Sequence, residues 1–498
     1  MQEIVNQVNN SIVYDVVQKT SLDKVDALSS LLGNNIFFKR EDKQKLYSFK
    51  LRGAYQKIGS LSAIQKKKGV ITASAGNHAQ GVAYSAKILK IKSIVVMPIN
   101  TPSIKVSAVK KLGAEIILKG ESYHQSYEYA LTLAQKKSMV YIPPYDDESV
   151  IVGQATIAKE LLEELPIIDY VFVPVGGGGL ISGISLYLSK VSPNTKIIGV
   201  EPESSPALFM SLQQQQRVKL TDVGLFAEGV AVSQVGKIPF EISKKTIDEV
   251  VLVSDDELCA SVKEVFEETR SIVETSGALS VAGCKKYIQN NYLKDKNCIA
   301  ILSGANVNFD KLRYIAERAE LGELKEVIFA VEIEEKIGSF YNFCKSLGNR
   351  SITEFNYRFG VDNKAFVFVG IAIKNGLAEK QEIMMELKNK NYIFEDLSNN
   401  EMAKSHIRYM VGGKANVKNE LIYRFTFPEK KGALLNFLQK ISAHWNISLF
   451  HYRNYGASFG EVLVGIEVEN SDNLEKTLKE LKYPFVNESN NKAYQFFL

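Results

Sequence analysis

The sequence predicts an open, mostly parallel α/β sheet with right-handed crossovers, followed by two small α+β modules. Three observations support this prediction. Short apolar runs alternate with helical stretches from residue 33 to about 310. The chain has 498 residues, which corresponds to about three domains. The C-terminal part contains an internal repeat, which indicates one module used twice.

The predicted strands are nearly continuous apolar runs, as is typical of strands covered on both faces. These runs are Val70–Thr72, Ser93–Met97, Glu115–Leu118, Tyr170–Val173, Lys196–Val200, Glu249–Val253 and Cys298–Leu302. Helical patterns lie between them, for example at Gly81–Lys90 and Asp256–Arg270. In a sheet of this kind, ligands bind beyond the carboxyl ends of the strands.

The internal repeat consists of two pairs of similar segments. Gly338–Phe343 recurs 94 residues later as Gly432–Phe437, and Ile352–Arg358 recurs 95 residues later as Ile447–Arg453. Each copy reads as a strand, a helix that starts at the glycine, and further strands and a helix. We therefore predict one large α/β domain at residues 1–324, which a charged helix over 311–324 would close. Two small α+β modules should follow at 325–405 and 406–498.

Composition excludes several classes of function. The chain has 61 Lys and Arg against 56 Asp and Glu, and its basic runs are short, so a nucleic-acid-binding face is not supported. No run approaches about 18 apolar residues, so no membrane span is predicted. The four cysteines lack Cys-x-x-Cys spacing and the five histidines lack His-Glu-x-x-His spacing, which argues against a disulfide scaffold or a metal site. The N-terminal residues resemble neither a secretory signal nor a transit peptide, so we expect a cytoplasmic protein.

Four consecutive glycines, Gly176–Gly179, follow a predicted buried strand. Consecutive glycines cost chain entropy and are expected where the backbone must closely approach a bound group such as a phosphate. The pattern lacks the lysine of a P-loop and the spacing of a dinucleotide-binding turn. A flexible surface loop is the alternative, and the position after a buried strand favours a phosphate loop.

Two further strand ends carry small or polar residues. Residues 74–77 (Ser-Ala-Gly-Asn) follow the first predicted strand and precede a helix, so their N–H groups are suited to a carboxylate or phosphate. Ser303 follows the last predicted strand, where its hydroxyl could bond a heteroatom held above the sheet. Each turn taken alone is also compatible with a purely structural role.

Lys50 lies between Phe49 and Leu51 at the start of an apolar helical stretch. Burial lowers the pKa of a lysine and frees its amine for Schiff-base chemistry. A single lysine is far more often a solvated surface residue. The combination with the glycine loop and the polar strand ends nevertheless predicts a pyridoxal 5'-phosphate site.

Several motifs resemble the threonine ammonia-lyase (threonine dehydratase) family. They are Lys39–Asp42, Ser48–Tyr55, Thr72–Gly81, Pro174–Leu180, Gly224–Val232 and Ile301–Asn308. The two repeats resemble the ACT-like regulatory modules of the biosynthetic, allosteric branch of this family. The resemblance covers almost the whole chain and implies the fold-type II (tryptophan synthase β-like) class of pyridoxal-phosphate enzymes.

The resemblance implies roles for individual residues. Lys50 occupies the position of the lysine that binds the cofactor covalently and removes the substrate's Cα proton. Asn77 occupies the position of the residue that bonds the cofactor's 3′-oxygen, and Ser303 that of the residue facing the pyridine nitrogen. Thr275 is a departure, because relatives commonly carry proline there.

Two backbone loops are also assigned by the resemblance. The phosphate loop consists of Gly176, Gly177, Gly178, Gly179 and Leu180. The loop for the substrate carboxylate consists of Ser74, Ala75 and Gly76.

The implied reaction is β-elimination of L-threonine to 2-oxobutanoate and ammonia, the first step of isoleucine biosynthesis, with L-serine as a secondary substrate. The resemblance also implies a homotetramer. Its implied effectors are isoleucine, which acts as the feedback inhibitor, and valine. The predicted effector residues are Phe355, Tyr357, Phe450 and Tyr452. Because these aromatic residues alternate along strands, ordinary sheet or interface packing explains them equally well.

Two rival functions remain open at the level of residues. The first is an enzyme that uses the same cofactor for another reaction, namely serine dehydration, serine racemisation or β-replacement. The paired modules argue against it, because end-product regulation suits a committed biosynthetic step. The other is a non-catalytic amino-acid sensor, against which the intact Lys50, Asn77 and Ser303 argue.

Overall fold

A computed structural model of the chain contains two compact units, Met1–Asn308 and Phe309–Leu498. The structure describes residues 3–334, 342–343, 346–348, 350, 352–358, 364–409, 419–428, 437, 441, 445–454, 459–468 and 474–497. The backbone alone is described at 352, 354–358, 364–365, 427–428, 446–448, 450–454, 459 and 497. Within the described part of the chain, no helix is both long enough and apolar enough to cross a membrane.

The first unit alternates helices and strands. Its strands are β1 Leu22–Val25, β2 Asn35–Arg40, β3 Val70–Ala73, β4 Ser93–Met97, β5 Glu115–Leu118, β6 Val140–Tyr141, β7 Tyr170–Pro174, β8 Lys196–Pro202, β9 Glu249–Val253 and β10 Asn297–Leu302. Its helices are α1 Glu3–Asn9, α2 Asp26–Leu32, α3 Lys50–Gly59, α4 Ala63–Lys68, α5 Asn77–Ile88, α6 Ser103–Lys111, α7 Tyr123–Lys137, α8 Glu148–Glu164, α9 Gly179–Val191, α10 Ala207–Gln213, α11 Lys237–Thr246, α12 Asp255–Thr269 and α13 Thr275–Asn290.

These strands form two sheets. The larger has the order β1-β2-β10-β7-β8-β9 and is parallel except for the β1–β2 pair. The smaller has the order β5-β4-β3-β6 and is entirely parallel. The predicted parallel α/β architecture is confirmed, and every predicted strand is present within two residues of its predicted ends. The sequence analysis described one open sheet, whereas the strands divide between two.

Helices pack against the larger sheet and bury its apolar side chains. Val171, Ile181 and Ile184 belong to one core in which strand β7 packs against helix α9. A Cβ placed on Gly183 of α9 would lie 2.6 Å from the carbonyl oxygen of Ile151, so α8 and α9 touch backbone to backbone. Burial of this apolar surface, about 25 cal/mol per Å², drives the layered packing.

Strand β2 escaped prediction because it ends in charged residues. Lys39 and Arg40 are buried and are neutralised by acidic partners, among them Glu160 at 2.9 Å from Lys39 Nζ. Arg52 of α3 lies in the same network, with contacts of 2.7 Å to Glu41 and 2.6 Å to Glu160. Burial alone would lower the pKa of Arg52, but these two carboxylates raise it above its ordinary value. The network therefore fixes α3 against β2 and α8.

The second unit contains two similar sets of elements. The first set is α14 Lys311–Gly322, β11 Glu326–Glu334, β12 Ile352–Arg358, β13 Lys364–Ala372, α15 Gly376–Asn389, β14 Ile393–Asp396 and α16 Glu401–Ser405. The second set is β15 Glu420–Pro428, β16 Asn446–Asn454, β17 Phe459–Glu467, α17 Leu474–Glu480, β18 Phe485–Asn487 and α18 Lys492–Phe497. The sequence analysis placed helix α14 at the end of the large α/β domain, whereas the division by contacts places it in the second unit.

The two sets have the same sheet topology. Their strand orders are β12-β13-β11-β14 and β16-β17-β15-β18, and all pairs are antiparallel. The register also repeats, since Phe355 pairs with Val369 and Phe450 pairs with Val464, and both edge strands contain a bulge at their start. The predicted helix starts at Gly338 and Gly432 lie outside the described residues.

The two modules of the second unit share a hydrophobic core. Ile328 and Phe368 of the first sheet and Ile422 and Leu463 of the second belong to one buried cluster, which Leu321 of α14 joins. Since successive strand residues point to opposite faces, the alternate positions of each sheet pack against that module's own helices. We refer to the cluster between the sheets as the shared core.

Candidate active site

Lys50 begins helix α3 and points its amine toward the connection between β6 and α8. Nζ donates a hydrogen bond to the carbonyl oxygen of Pro144 at 3.1 Å. Burial lowers the pKa of Lys50 to about 8, and the charge of Glu274 acts in the opposite direction. About one tenth of the amine is therefore uncharged at neutral pH, far more than for a solvated lysine.

The start of α3 is held against the end of β10. The backbone N–H of Phe49 donates to the carbonyl oxygen of Ser303 at 3.2 Å, and Ser48 pairs with Gly304 as an isolated bridge. This pairing brings the predicted Schiff-base lysine and the predicted ring-nitrogen residue to neighbouring positions at the carboxyl end of the larger sheet.

The Ser303 hydroxyl has a backbone partner. Its Oγ is buried and donates to the carbonyl oxygen of Ser276 at 3.1 Å. A hydroxyl carries one proton, so donation to a ring nitrogen would require this hydroxyl to rotate away from Ser276.

Asn77 begins helix α5 and is bonded through both ends of its amide. Nδ2 donates to Glu274 Oε1 at 2.8 Å, and Oδ1 accepts from Asn306 Nδ2 at 2.7 Å. Glu274 Oε1 also accepts from Ser276 Oγ at 3.0 Å. Burial raises the pKa of Glu274, and the hydrogen bonds from Ser276 and Asn77 partly offset this.

The sequence analysis assigned no role to Glu274. Asn77 and Glu274 are separated by 197 residues in the chain, so local spacing carried no signal of their contact. Thr275, the departure from the family pattern, begins α13 and donates to the carbonyl oxygen of Phe226 at 3.1 Å.

His78, next to Asn77, is a structural residue. Its Nε2 donates to the carbonyl oxygen of Ile142 at 3.0 Å, which fixes the Nε2–H tautomer because a carbonyl only accepts. Burial lowers the pKa of His78 to about 3, and the nearby Lys50 acts in the same sense. An imidazole with so low a pKa is a weak base, so His78 is not suited to act as the general base near neutral pH.

The glycine loop is pressed between two segments of the same unit. A Cβ on Gly176 would lie 2.8 Å from Val230 Cα, and one on Gly177 would lie 2.1 Å from a ring carbon of Tyr145. Gly178 has φ of +90°, which a residue with a side chain rarely adopts. Helix α9 begins at Gly179, so its unpaired N–H groups and positive dipole end favour an anion at this loop.

The loop at Ser74–Gly76 follows β3 and is stabilised by a short turn. Ser74 Oγ accepts a hydrogen bond from the N–H of Gly76 at 3.2 Å. Among the described residues other than its chain neighbours, none has an atom within 4 Å of a Cβ built on Gly76, so this side of the loop has open space. The geometry allows a small ligand to approach the backbone here.

The residues of the first unit fit pyridoxal phosphate. A lysine of lowered pKa, a side-chain-free cradle at a helix start and a buried hydroxyl all lie at the carboxyl ends of parallel strands. The predicted effector residues Phe355, Tyr357, Phe450 and Tyr452 lie on β12 and β16 of the second unit, and their side chains are outside the described part of the structure.

Two known families match the chain. Residues 13–304 match the family of pyridoxal-phosphate dependent enzymes. Residues 317–407 and 411–498 match the C-terminal regulatory domain of threonine dehydratase. These two matches to one regulatory domain agree with the repeated topology of the second unit.

Curated relatives match over almost the full length. The biosynthetic L-threonine dehydratase IlvA of Haemophilus influenzae is 49% identical over 490 residues, which cover 98% of this chain and 95% of the relative. The mitochondrial threonine dehydratase of Saccharomyces cerevisiae is 46% identical and covers 100% of this chain, with 89% of its own length matched.

Solved structures match a little under two thirds of the chain. The processed form of threonine deaminase isoform 2 from Solanum lycopersicum has a TM-score of 0.63 at 46% identity and covers 64% of this chain and 92% of that chain. Serine racemase from Dictyostelium discoideum has a TM-score of 0.58 at 32% identity and covers 62% of this chain and 98% of that chain.

Proposed function

Because the chain belongs to the biosynthetic threonine dehydratase family, we propose that it converts L-threonine to 2-oxobutanoate and ammonia as the committed step of isoleucine biosynthesis. The observation that carries this proposal is the amine of Lys50, whose pKa is lowered to about 8, at the carboxyl end of the larger sheet together with Ser303 and the glycine loop. Pyridoxal phosphate, when bound, supplies the electron sink for the electrons left at Cα.

We assign the proton transfer at Cα to Lys50. Its position next to Ser303 and its lowered pKa support this role, because a general base should have a pKa near the working pH. The backbone of Ser74, Ala75 and Gly76 would bind the substrate carboxylate, and the open space beside Gly76 supports this assignment.

Three groups would hold the cofactor besides Lys50. Gly176 to Leu180 would bind the phosphate through backbone N–H groups, and the crowding around Gly176 and Gly177 explains why no side chain is present there. Asn77 would face the 3′-oxygen, oriented by Glu274 and Asn306. Ser303 would face the ring nitrogen as a neutral hydroxyl.

The second unit supports end-product regulation. We propose that isoleucine inhibits the enzyme, that valine is a second effector, and that Phe355, Tyr357, Phe450 and Tyr452 contribute to effector sites. The equivalent register of Phe355 and Phe450 in the two modules supports a paired origin of these sites. The module boundaries at 324/325 and 405/406, the homotetramer and the cytoplasmic location are proposals that rest on the family resemblance.

The proposed function is tested by product analysis of the purified protein loaded with cofactor. We expect 2-oxobutanoate from L-threonine, slower formation of pyruvate from L-serine, and inhibition by isoleucine. The exposed Lys87→Ala variant serves as a matched control for Lys50→Ala. Formation of D-serine in place of 2-oxo acids would favour racemisation, and absence of any product with bound cofactor would favour a sensor.

A further inference from the structure

The connection between β6 and α8, residues 142–147, contacts the site at several points. The carbonyl oxygen of Ile142 accepts hydrogen bonds from Thr72 Oγ1 at 2.9 Å and from His78 Nε2 at 3.0 Å. The carbonyl oxygen of Pro144 accepts the bond from Lys50. The same short segment therefore reaches the start of α5 and the reactive lysine.

The next residue of the connection packs on the glycine loop. Besides its contact with Gly177, Tyr145 approaches Gly179 so closely that a Cβ there would lie 2.9 Å from Tyr145 Cβ. A shift of the connection would therefore displace the loop.

Asp146 fastens the start of helix α11. Its Oδ2 accepts from the N–H of Lys237 and its Oδ1 accepts from the N–H of Ile238, both at 2.9 Å. A carboxylate at this end of a helix satisfies unpaired N–H groups and complements the helix dipole. Each of its oxygens thus receives one backbone hydrogen bond.

The start of α11 in turn holds the glycine loop. The N–H of Gly236 donates to the carbonyl oxygen of Gly177 at 3.0 Å. A Cβ on Gly178 would lie 2.8 Å from Pro239 Cβ, so the first turn of α11 touches the loop directly. Asp146 is therefore connected to the loop on two sides, through Tyr145 and through the helix.

We propose that Asp146 is a positioning residue for the cofactor phosphate: through Tyr145 and helix α11 it fixes the backbone of Gly176–Gly179, which would bind the phosphate. This inference rests on the proposed function, which assigns the glycine loop to the phosphate. The sign of the effect is diagnostic. A carboxylate near a phosphate repels it, so a purely electrostatic role predicts tighter cofactor binding when the charge is removed.

The first test is the Asp146→Asn variant of the full chain, stripped of cofactor and titrated with pyridoxal phosphate. Asparagine keeps one acceptor oxygen but opposes the second N–H with a donor, which leaves one helix N–H unpaired. We expect cofactor affinity to fall about tenfold. Asp248→Asn is the matched control, because Asp248 also accepts a backbone N–H, that of Ile197 at 2.9 Å, but at the amino ends of the strands.

The second test removes the same hydrogen bond from the donor side. Lys237→Pro deletes the N–H that Asp146 Oδ2 receives while leaving the Asp146 charge in place. Proline is favoured at a helix's first position, and Gly236 before it already has extended backbone, with φ −60° and ψ 156°. Lys237→Gln controls for the lost charge. We expect Lys237→Pro to weaken cofactor binding, and the double variant to lose less than the sum of the two single losses.

The readouts are the cofactor dissociation constant and the melting temperature of the cofactor-free protein. Unchanged or tighter binding in Asp146→Asn overturns the proposal, as does a loss no greater than that of Asp248→Asn. If Asp146→Asn fails to fold, the Lys237→Pro and Lys237→Gln pair decides the question. A wild-type protein that forms no 2-oxobutanoate contradicts the proposed function instead, whatever the variants do.

Discussion

Glu274 Oε1 lies 2.8 Å from Asn77 Nδ2, and this hydrogen bond joins the two sheets of the first unit. Asn77 follows β3 of the smaller sheet, whereas Glu274 directly precedes α13, which packs on the larger one. Glu274, which no local motif predicts, thus orients the side-chain amide of Asn77, which the motifs did predict. The charge of Glu274 also raises the pKa of Lys50, so it acts on both residues.

Glu274→Ala should lower kcat/KM for threonine by about five- to thirtyfold, because a lost hydrogen bond of about 1–2 kcal/mol would free the Asn77 amide. Glu274→Gln keeps an acceptor oxygen and removes the charge, so the amide should stay oriented while the pKa of Lys50 falls further. Steady-state kinetics and the pH dependence of cofactor binding separate the two effects. Equal kinetics in the two variants would contradict the orienting role.

The pH dependence of cofactor binding should report the lowered pKa of Lys50. Covalent capture of pyridoxal phosphate requires the free amine, so its rate should rise with pH and level off above about pH 8. An unperturbed lysine would show no plateau until about pH 10.4. Stopped-flow absorbance on cofactor-free protein measures this rate.

The same shift predicts a trend in stability with a definite sign. Between pH 8 and the ordinary lysine pKa of about 10.4, the folded, cofactor-free protein binds fewer protons at Lys50 than the unfolded chain does. Its contribution to stability should therefore increase as pH rises from about 8 toward the ordinary lysine value. Denaturant titration of wild type against Lys50→Met checks the direction, and an opposite slope would contradict it.

Lys50→Ala should reduce turnover by about a thousandfold or more, because the cofactor's covalent partner and the general base are lost together. The circular dichroism spectrum should remain that of the wild type, and Lys87→Ala should retain full activity. Borohydride reduction followed by peptide mapping should place the cofactor on Lys50. A label on another lysine would refute the assignment.

Ser303→Asp should slow elimination by about tenfold, equivalent to about 1.4 kcal/mol, and increase abortive transamination. A carboxylate favours protonation of the ring nitrogen, which strengthens the electron sink and permits side reactions. In the wild type, the Ser303 hydroxyl donates a hydrogen bond to the carbonyl oxygen of Ser276, and both Ser303→Asp and Ser303→Ala would remove this donor. If the two variants divide between elimination and transamination in the same ratio, the effect comes from the lost hydrogen bond and not from the added charge.

Regulation should depend on the second unit. A chain ending at Lys325, which keeps the proposed domain of residues 1–324 intact, should retain threonine turnover without isoleucine inhibition. In the full chain, Phe355→Ala and Phe450→Ala should each weaken isoleucine inhibition by about tenfold, the loss of one aromatic contact. Leu377→Ala, at an exposed position of the first module, is the control. Inhibition that survives truncation unchanged would place the effector site in the first unit.

Sequence reasoning found the strands that are apolar throughout, since burial on both faces leaves a continuous signal. It missed β1, which has four residues, and β6, which has two. It also missed β2, because this strand ends in Lys39 and Arg40, which are buried only through ion pairs such as that of Lys39 with the distant Glu160. It also could not divide the strands between two sheets, because apolar runs do not specify which strand is a neighbour.

The same limit applies to the candidate site. Lys50, Asn77 and Ser303 lie in recognisable motifs at strand ends, and the structure brings them to one end of the first unit. The sequences around Glu274 and Asp146 indicate turns but not their partners, because these contacts arise only when separate segments meet. Positions that act through tertiary contact therefore escape motif-based reasoning.

The shared core has a consequence for how the duplicated modules can evolve. Ile328 and Phe368 of one copy and Ile422 and Leu463 of the other cover each other's apolar sheet faces. Loss of either copy would leave that surface in water. Recombination therefore cannot exchange one copy for an unrelated module without a matching apolar face, so the two copies should be inherited as a block.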